Sequence, residues 1–122
     1  MPFSVRYNAE LQAIETSFSG LITEDDIQAQ MLVSCQTAAE HKTSSAIVNV
    51  TDATLRISIT FIYNLPELCE TMGAKRPIRL ALINLNEQNS DLIGFYQLVS
   101  QNRGWNVEIF SDVEQAKTWL MS

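Results

Sequence analysis

Phe3, Val5 and Tyr7 alternate with polar neighbours, the period-two pattern of a half-buried strand. Leu11, Ala13, Ile14, Thr16 and Phe18 predict a second strand with one irregularity, ended by Gly20. The short link Asn8-Ala9-Glu10 makes the pair an antiparallel hairpin. The period then lengthens. Ile27, Met31, Ser34, Cys35 and Ala38 recur at helical spacing to about His41. Thr23 caps this helix with Asp26 three residues on, and Glu24, Asp25 and Asp26 face the positive end of its dipole.

After the Ser44-Ser45 turn, Ala46-Ile47-Val48-Asn49-Val50 is apolar almost throughout, as expected of a strand covered on both faces. Residues 57–73 are harder to read. Ile59, Ile62, Leu65, Leu68, Cys69 and Met72 keep a helical spacing across Pro66. Proline inside a helix costs ~3 kcal/mol or more, so a kink or two short helices are expected, stopped at Gly73. Residues 78–85 predict a second central strand. Leu92, Phe95, Tyr96 and Val99 form a helical stripe ended by a left-handed Gly104. Residues 105–110 alternate as a strand, and Ser111-Asp112-Val113-Glu114 is a capping box opening a last helix through Ala116, Trp119 and Leu120. The order is β-β-α-β-α-β-α-β-α: one α/β domain over residues 1–122, with a mixed five-stranded sheet and about four helices.

Composition narrows the functional classes. With 122 residues, 46% apolar and 18% charged, the chain can bury a core without staples. A net charge of −6 opposes phosphate backbones and anionic membranes, so no nucleic-acid partner is expected. Lys75, Arg76 and Arg79 form the only basic grouping, with Arg103 apart from it. Cys35 and Cys69 lie in apolar helical patterns without CxxC or Cys/His spacing, and read as reduced thiols. The opening Met-Pro-Phe-Ser-Val-Arg-Tyr lacks a signal-peptide pattern, and no apolar run approaches the ~20 residues of a membrane span. A cytoplasmic protein without a membrane span is expected.

The chemistry-bearing residues are few. His41 is the sole histidine and has no evident partner, so a solvated helix-end residue is the simpler reading. Glu24, Asp25 and Asp26 lack metal-site spacing, and no metal or other cofactor is expected. Asp52, with Thr51 and Thr54, stands at the end of a central strand, where open α/β sheets meet ligands. An Asx turn leaving the strand accounts for it more simply. Arg103 beside Gly104 serves either as an anion contact or as cover for the last helical carbonyls. Phe61, Ile62, Tyr63, Leu65 and Leu68 exceed what one helix can turn toward a core. That surplus implies a partner surface, a homodimer interface or a ligand groove. No nucleophile–base pair or phosphate loop is present, so no catalytic residue is assigned.

The stretch Phe95-Tyr96, Asn102-Arg103-Gly104-Trp105-Asn106-Val107-Glu108-Ile109-Phe110-Ser111-Asp112, Ala116 and Trp119-Leu120 carries a family resemblance, supported by Phe18-Ser19-Gly20 and Asp25-Asp26. With the order of elements, these residues resemble the SpoIIAA-like group, relatives of the STAS domain of anti-sigma factor antagonists. The resemblance spans essentially the whole chain, and its motifs are structural. It implies a non-catalytic regulatory protein-interaction module. Phosphorylated antagonists carry a serine at the start of the helix after the central strand. That pattern falls on Ser58, with Asn49 where the family often has an acid and Ile57 in the place commonly held by Asp. A phosphate there would meet free helix N–H groups, whereas Ser58 or Thr60 as a plain cap needs no kinase. Asp52, Thr54, Phe61, Ile62, Tyr63 and Leu65 would form the contact face. The same broad family is also compared with CRAL-TRIO lipid-binding domains. That comparison implies the alternative: a small apolar or lipid-like ligand between the 57–73 segment and the sheet.

Overall fold

The structure, a computed structural model, describes residues 2–122. Its strands are β1 (Phe3–Asn8), β2 (Ala13–Thr23), β3 (Ser45–Arg56), β4 (Arg79–Ile83) and β5 (Asn106–Phe110). Its helices are α1 (Glu24–His41), α2 (Ile59–Thr71), α3 (Ser90–Asn102) and α4 (Val113–Met121), with a 3-10 turn at Glu87–Asn89. The sheet runs β1-β2-β3-β4-β5, antiparallel between β1 and β2 and parallel across the other pairs. Among the described residues no helix is long and apolar enough to cross a membrane.

Strand alternation sorts the core into two layers. Leu80 and Leu82 of β4 pack with Ile27 and Met31 of α1, Leu65 of α2 and Ile93 of α3. Ala81 and Ile83 face the other way, onto Ala116 and Leu120 of α4. Three helices thus cover one face of the sheet and one covers part of the other.

The strands extend further than the apolar pattern implied. Gly20 does not end β2; it sits inside it with φ 77°, a conformation glycine adopts without a Cβ penalty. β3 continues to Arg56, so Asp52 and Thr54 lie within a strand, paired with Ser19 and Leu21 of β2, and not in a turn after it. The register shifts between Ser17/Asn49 and Ser19/Asp52, leaving an extra residue on β3. Ala46, Val48 and Val50 face the three-helix layer before the shift; Ala53, Leu55 and Ile57 do so after it. β4 pairs with β3 only as far as Asn49. Asn89, fully buried, serves the unpaired backbone beyond, its Nδ2 donating to the carbonyls of Val50 and Ala53 at 3.1 Å each.

Two helix boundaries also differ from expectation. α2 is one helix of 13 residues with Pro66 inside it, not two short ones. Pro66 is buried in the packed interior, whose contacts offset the lost backbone bond. α4 is capped by Asp112, which accepts from Glu114 N at 2.8 Å, one residue later than the Ser111 box. The Thr23–Asp26 capping box forms as expected, and Gly73 and Gly104 follow α2 and α3 with φ of 113° and 84°.

Candidate functional site: a cavity between two helices and the sheet

On the three-helix face a cavity of about 570 Å3 lies between α1, α2 and the sheet. Its floor includes Val48, Leu80 and Leu82; Met31, Cys35 and Ala38 of α1 form one wall and Ile62, Leu65 and Cys69 of α2 another. Tyr96 and Trp105 line it as well. The local sequence explains the space. The buried residues of α1 are Ile27, Gln30 and Met31, all in its first half. From Ser34 onward the inward positions are small, so this half of the helix leaves the sheet uncovered. Gln30 is the polar exception, its Nε2 donating to Thr16 Oγ1 at 3.1 Å and Ser34 Oγ at 2.7 Å. The volume is within the ~300–1,000 Å3 of small-molecule sites, and an apolar lining with a few fixed polar groups is their usual make-up.

Burial favours the neutral forms of the two thiols and the phenol on the wall. Burial pushes the Cys69 thiol up to about 12, with the nearby Cys35 and Glu70 adding to it. Burial also raises the Cys35 thiol and the Tyr96 phenol. A thiol kept protonated is a poor nucleophile and metal ligand. Among the described residues no group of three His, Cys, Asp or Glu side chains could hold a metal ion.

The candidate residues read from the sequence do not form one surface. Ile62 and Leu65 are buried, 2% and 8% exposed, and line the cavity, so they offer nothing to a protein partner on the outside. Phe61 packs against the same core. Tyr63 is 64% exposed and Ile59 53%. Asp52 and Thr54 are exposed, and alternation with the inward Ala53 and Leu55 turns them to the opposite face of the sheet. Ser58 is the N-cap of α2, its Oγ accepting from Phe61 N at 3.0 Å, while Ser58 N donates to Glu24 Oε2 at 2.8 Å. Glu24 and Asp26 are thus engaged with backbone and cap.

Arg103 meets a carboxylate of α2 within the chain. Its Nη2 donates to Glu70 Oε1 at 2.8 Å, Trp105 Nε1 donates to Glu70 Oε2 at 2.9 Å, and Arg76 Nε lies 3.4 Å from the same oxygen. The hydrogen bonds from Trp105 and then Arg103 hold the Glu70 carboxyl below its ordinary range. Arg76, not Arg103, covers the carbonyl after α3, its Nη1 donating to Arg103 O at 3.0 Å. Glu70 and Asn89 were not singled out from the sequence; each is one polar residue in a helical pattern, with partners 33 to 39 positions away. His41 stacks on Tyr7 with ring centroids 3.8 Å apart.

A five-stranded mixed sheet with this order of elements is a SpoIIAA-like α/β fold, as the structural comparison shows. An uncharacterised protein of the DUF3478 family with a SpoIIAA-like fold, from Shewanella loihica PV-4, superimposes with a TM-score of 0.65 at 17% identity, covering 97% of this chain and 91% of that one. No protein-family model and no curated protein matches the sequence.

Proposed function

We propose that this chain is a non-catalytic binding module that takes a small apolar or lipid-like molecule into the cavity between α2 and the sheet. The observation that carries this reading is the cavity itself: about 570 Å3, lined largely by aliphatic, aromatic and thiol side chains. An engineered apolar void of roughly 150 Å3 already binds small hydrocarbons. The chemistry around it favours binding over turnover. Its thiols are held protonated, and the sole histidine is stacked on Tyr7 and does not line it.

Trp105 lines the cavity, whereas the other tryptophan, Trp119, packs on the far face with Phe110. A Trp119→Phe variant therefore leaves one tryptophan, at the site. Titration with a neutral apolar probe such as Nile red should shift or quench Trp105 emission saturably. Native mass spectrometry of gently purified protein should show a dissociable small molecule. An empty chain that binds no apolar probe would refute the reading.

A regulatory protein-interaction module is the second reading, favoured by the exposed Ile59 and Tyr63 on α2. A partner or second copy seated there would be released by Tyr63→Ala. Phosphorylation of Ser58 has less support, since the Glu24 carboxylate already occupies its N–H and would repel a phosphate.

A further inference from the structure

We infer that the occupant of the cavity is an anionic amphiphile, its carboxylate-type head at a mouth formed by Lys42 and Lys75 and its apolar tail among Met31, Val48, Leu80 and Tyr96. This rests on the cavity reading above and names the ligand class. The first ground is charge distribution. The chain has 14 acidic and 8 basic residues, yet the cavity lining includes Lys42, Lys75 and Arg76 and no Asp or Glu. A cavity that collected side chains without regard to charge would show the opposite bias.

The second ground is where those cations stand. Lys42 follows α1 and leads into β3, while Lys75 and Arg76 are on the link from α2 to β4. The two strands enter the sheet side by side, with Ser45 paired to Arg79 and Arg79 N donating to Ser44 O at 3.2 Å. Two separate loops therefore bring cations to one end of the cavity.

The third ground is what these cations do not do. Arg6, Arg76, Arg103 and Lys117 each pair with a carboxylate; among the described residues Lys42, Arg56, Lys75 and Arg79 pair with none, and of these four only Lys42 and Lys75 line the cavity. Arg76 is committed to Glu70 and the Arg103 carbonyl, which fixes it at the rim and leaves the two lysines to meet a head group. Both lysines are exposed, so a bound head keeps part of its hydration while the tail leaves water. A cation just past a helix C-terminus also complements the helix dipole. That role alone predicts no ligand preference, which is what the test reads.

The probes are dodecanoate, dodecanol and dodecyltrimethylammonium, each below its micellar or solubility limit, titrated against the full-length Trp119→Phe chain through Trp105 emission. Dodecanoate should bind about tenfold tighter than dodecanol, the sum expected of two solvent-exposed charge contacts, and the ammonium should bind weakest. Lys42→Asn, which keeps a residue tolerant of the left-handed backbone at φ 54°, combined with Lys75→Gln, should abolish the carboxylate's advantage. If that variant fails to fold, 0.5 M NaCl applied to the chain with both lysines in place should erase most of the same advantage. Equal binding of carboxylate and alcohol would overturn the anionic head and leave the cavity reading intact. Binding of none of the three would overturn both.

Discussion

Ala38→Leu is the sharpest single test of whether the space between α1 and the sheet is usable. Ala38 lies on the inward stripe of α1, lines the cavity, and is followed by the Lys42 cap. Alanine and leucine are both strong helix formers, so the backbone term nearly cancels. Leucine adds three carbons that have room to enter an existing void; at ~0.8 kcal/mol per buried carbon the ceiling is about 2.4 kcal/mol. Discounting for the open mouth and for a denatured state that is already compact leaves a gain of about 1–2 kcal/mol. For a domain of this size that raises Tm by about 3–8 °C, read by circular dichroism or calorimetry. The same carbons occupy volume the ligand would use, so affinity for an apolar probe should fall by about 5–30-fold. Stability and binding thus move in opposite directions, as when a functional void is filled. A loss of about 1–3 kcal/mol would show an overpacked core without room there. A gain in stability with unchanged probe affinity would place the ligand elsewhere.

Other consequences can be checked independently. Cys69, its thiol pushed up to about 12, should resist maleimide at pH 8 in the native chain and react at once in denaturant, with Cys35 labelling first; native labelling of Cys69 at a free-thiol rate would contradict its burial. Glu70 has a folded value below its ordinary 4.5, so its contribution to stability is present above that value and is lost as pH falls through the lower folded one. The unaltered chain should therefore lose Tm more steeply on acidification below 4.5 than Glu70→Gln does, and parallel curves would remove Glu70 as a pH-linked tie. Ser58→Ala deletes the cap of α2 and should cost about 1 kcal/mol in urea unfolding. Gly104→Ala must place a Cβ at φ 84° and should cost about 1–2 kcal/mol.

How much of this was legible in the sequence depends on whether the signal was periodic or pairwise. The helices and the outer strands left a period of 3.6 or of two, β3 and β4 left near-continuous apolar runs, and the positions of Thr23, Gly73 and Gly104 followed from cap chemistry. Misread boundaries had local sequence that contradicted tertiary context. Gly20 looks like a strand end but sits within β2, and polar Thr51-Asp52 looks like a turn but carries an irregularity inside β3. Pro66 would break an isolated helix; in a buried setting the flanking Leu65 and Ile62 hold it continuous. The apolar surplus at residues 61–68 was legible, but its division was not. Ile62 and Leu65 face inward and Tyr63 outward, a matter of helix phase that the uncertain fate of Pro66 concealed. The Glu70–Arg103–Trp105 cluster left no sequence signal, because its partners meet only after α2 and β5 are docked on the sheet.

The cavity itself does have a sequence signature, read in terms of size and not of polarity. The inward stripe of α1 runs Ile27, Met31, then Ser34, Cys35 and Ala38. Its spacing stays helical while its volume shrinks, so the helix persists but stops filling the space beneath it. At the N-terminal ends α1 and α2 are tied together, Glu24 Oε2 accepting from the N–H of Ser58 at 2.8 Å. At the C-terminal ends the lining passes to Lys42 on one side and Gly73, Ala74 and Lys75 on the other. Two helices joined at one end and lined by small residues and cations at the other form a cleft with a defined entrance. A packing defect has no reason to collect unpaired lysines at its rim, nor to exclude every carboxylate from its walls in a chain with an excess of them. On the cavity reading proposed above, the uncovered half of α1 is a binding wall left open by its own short side chains.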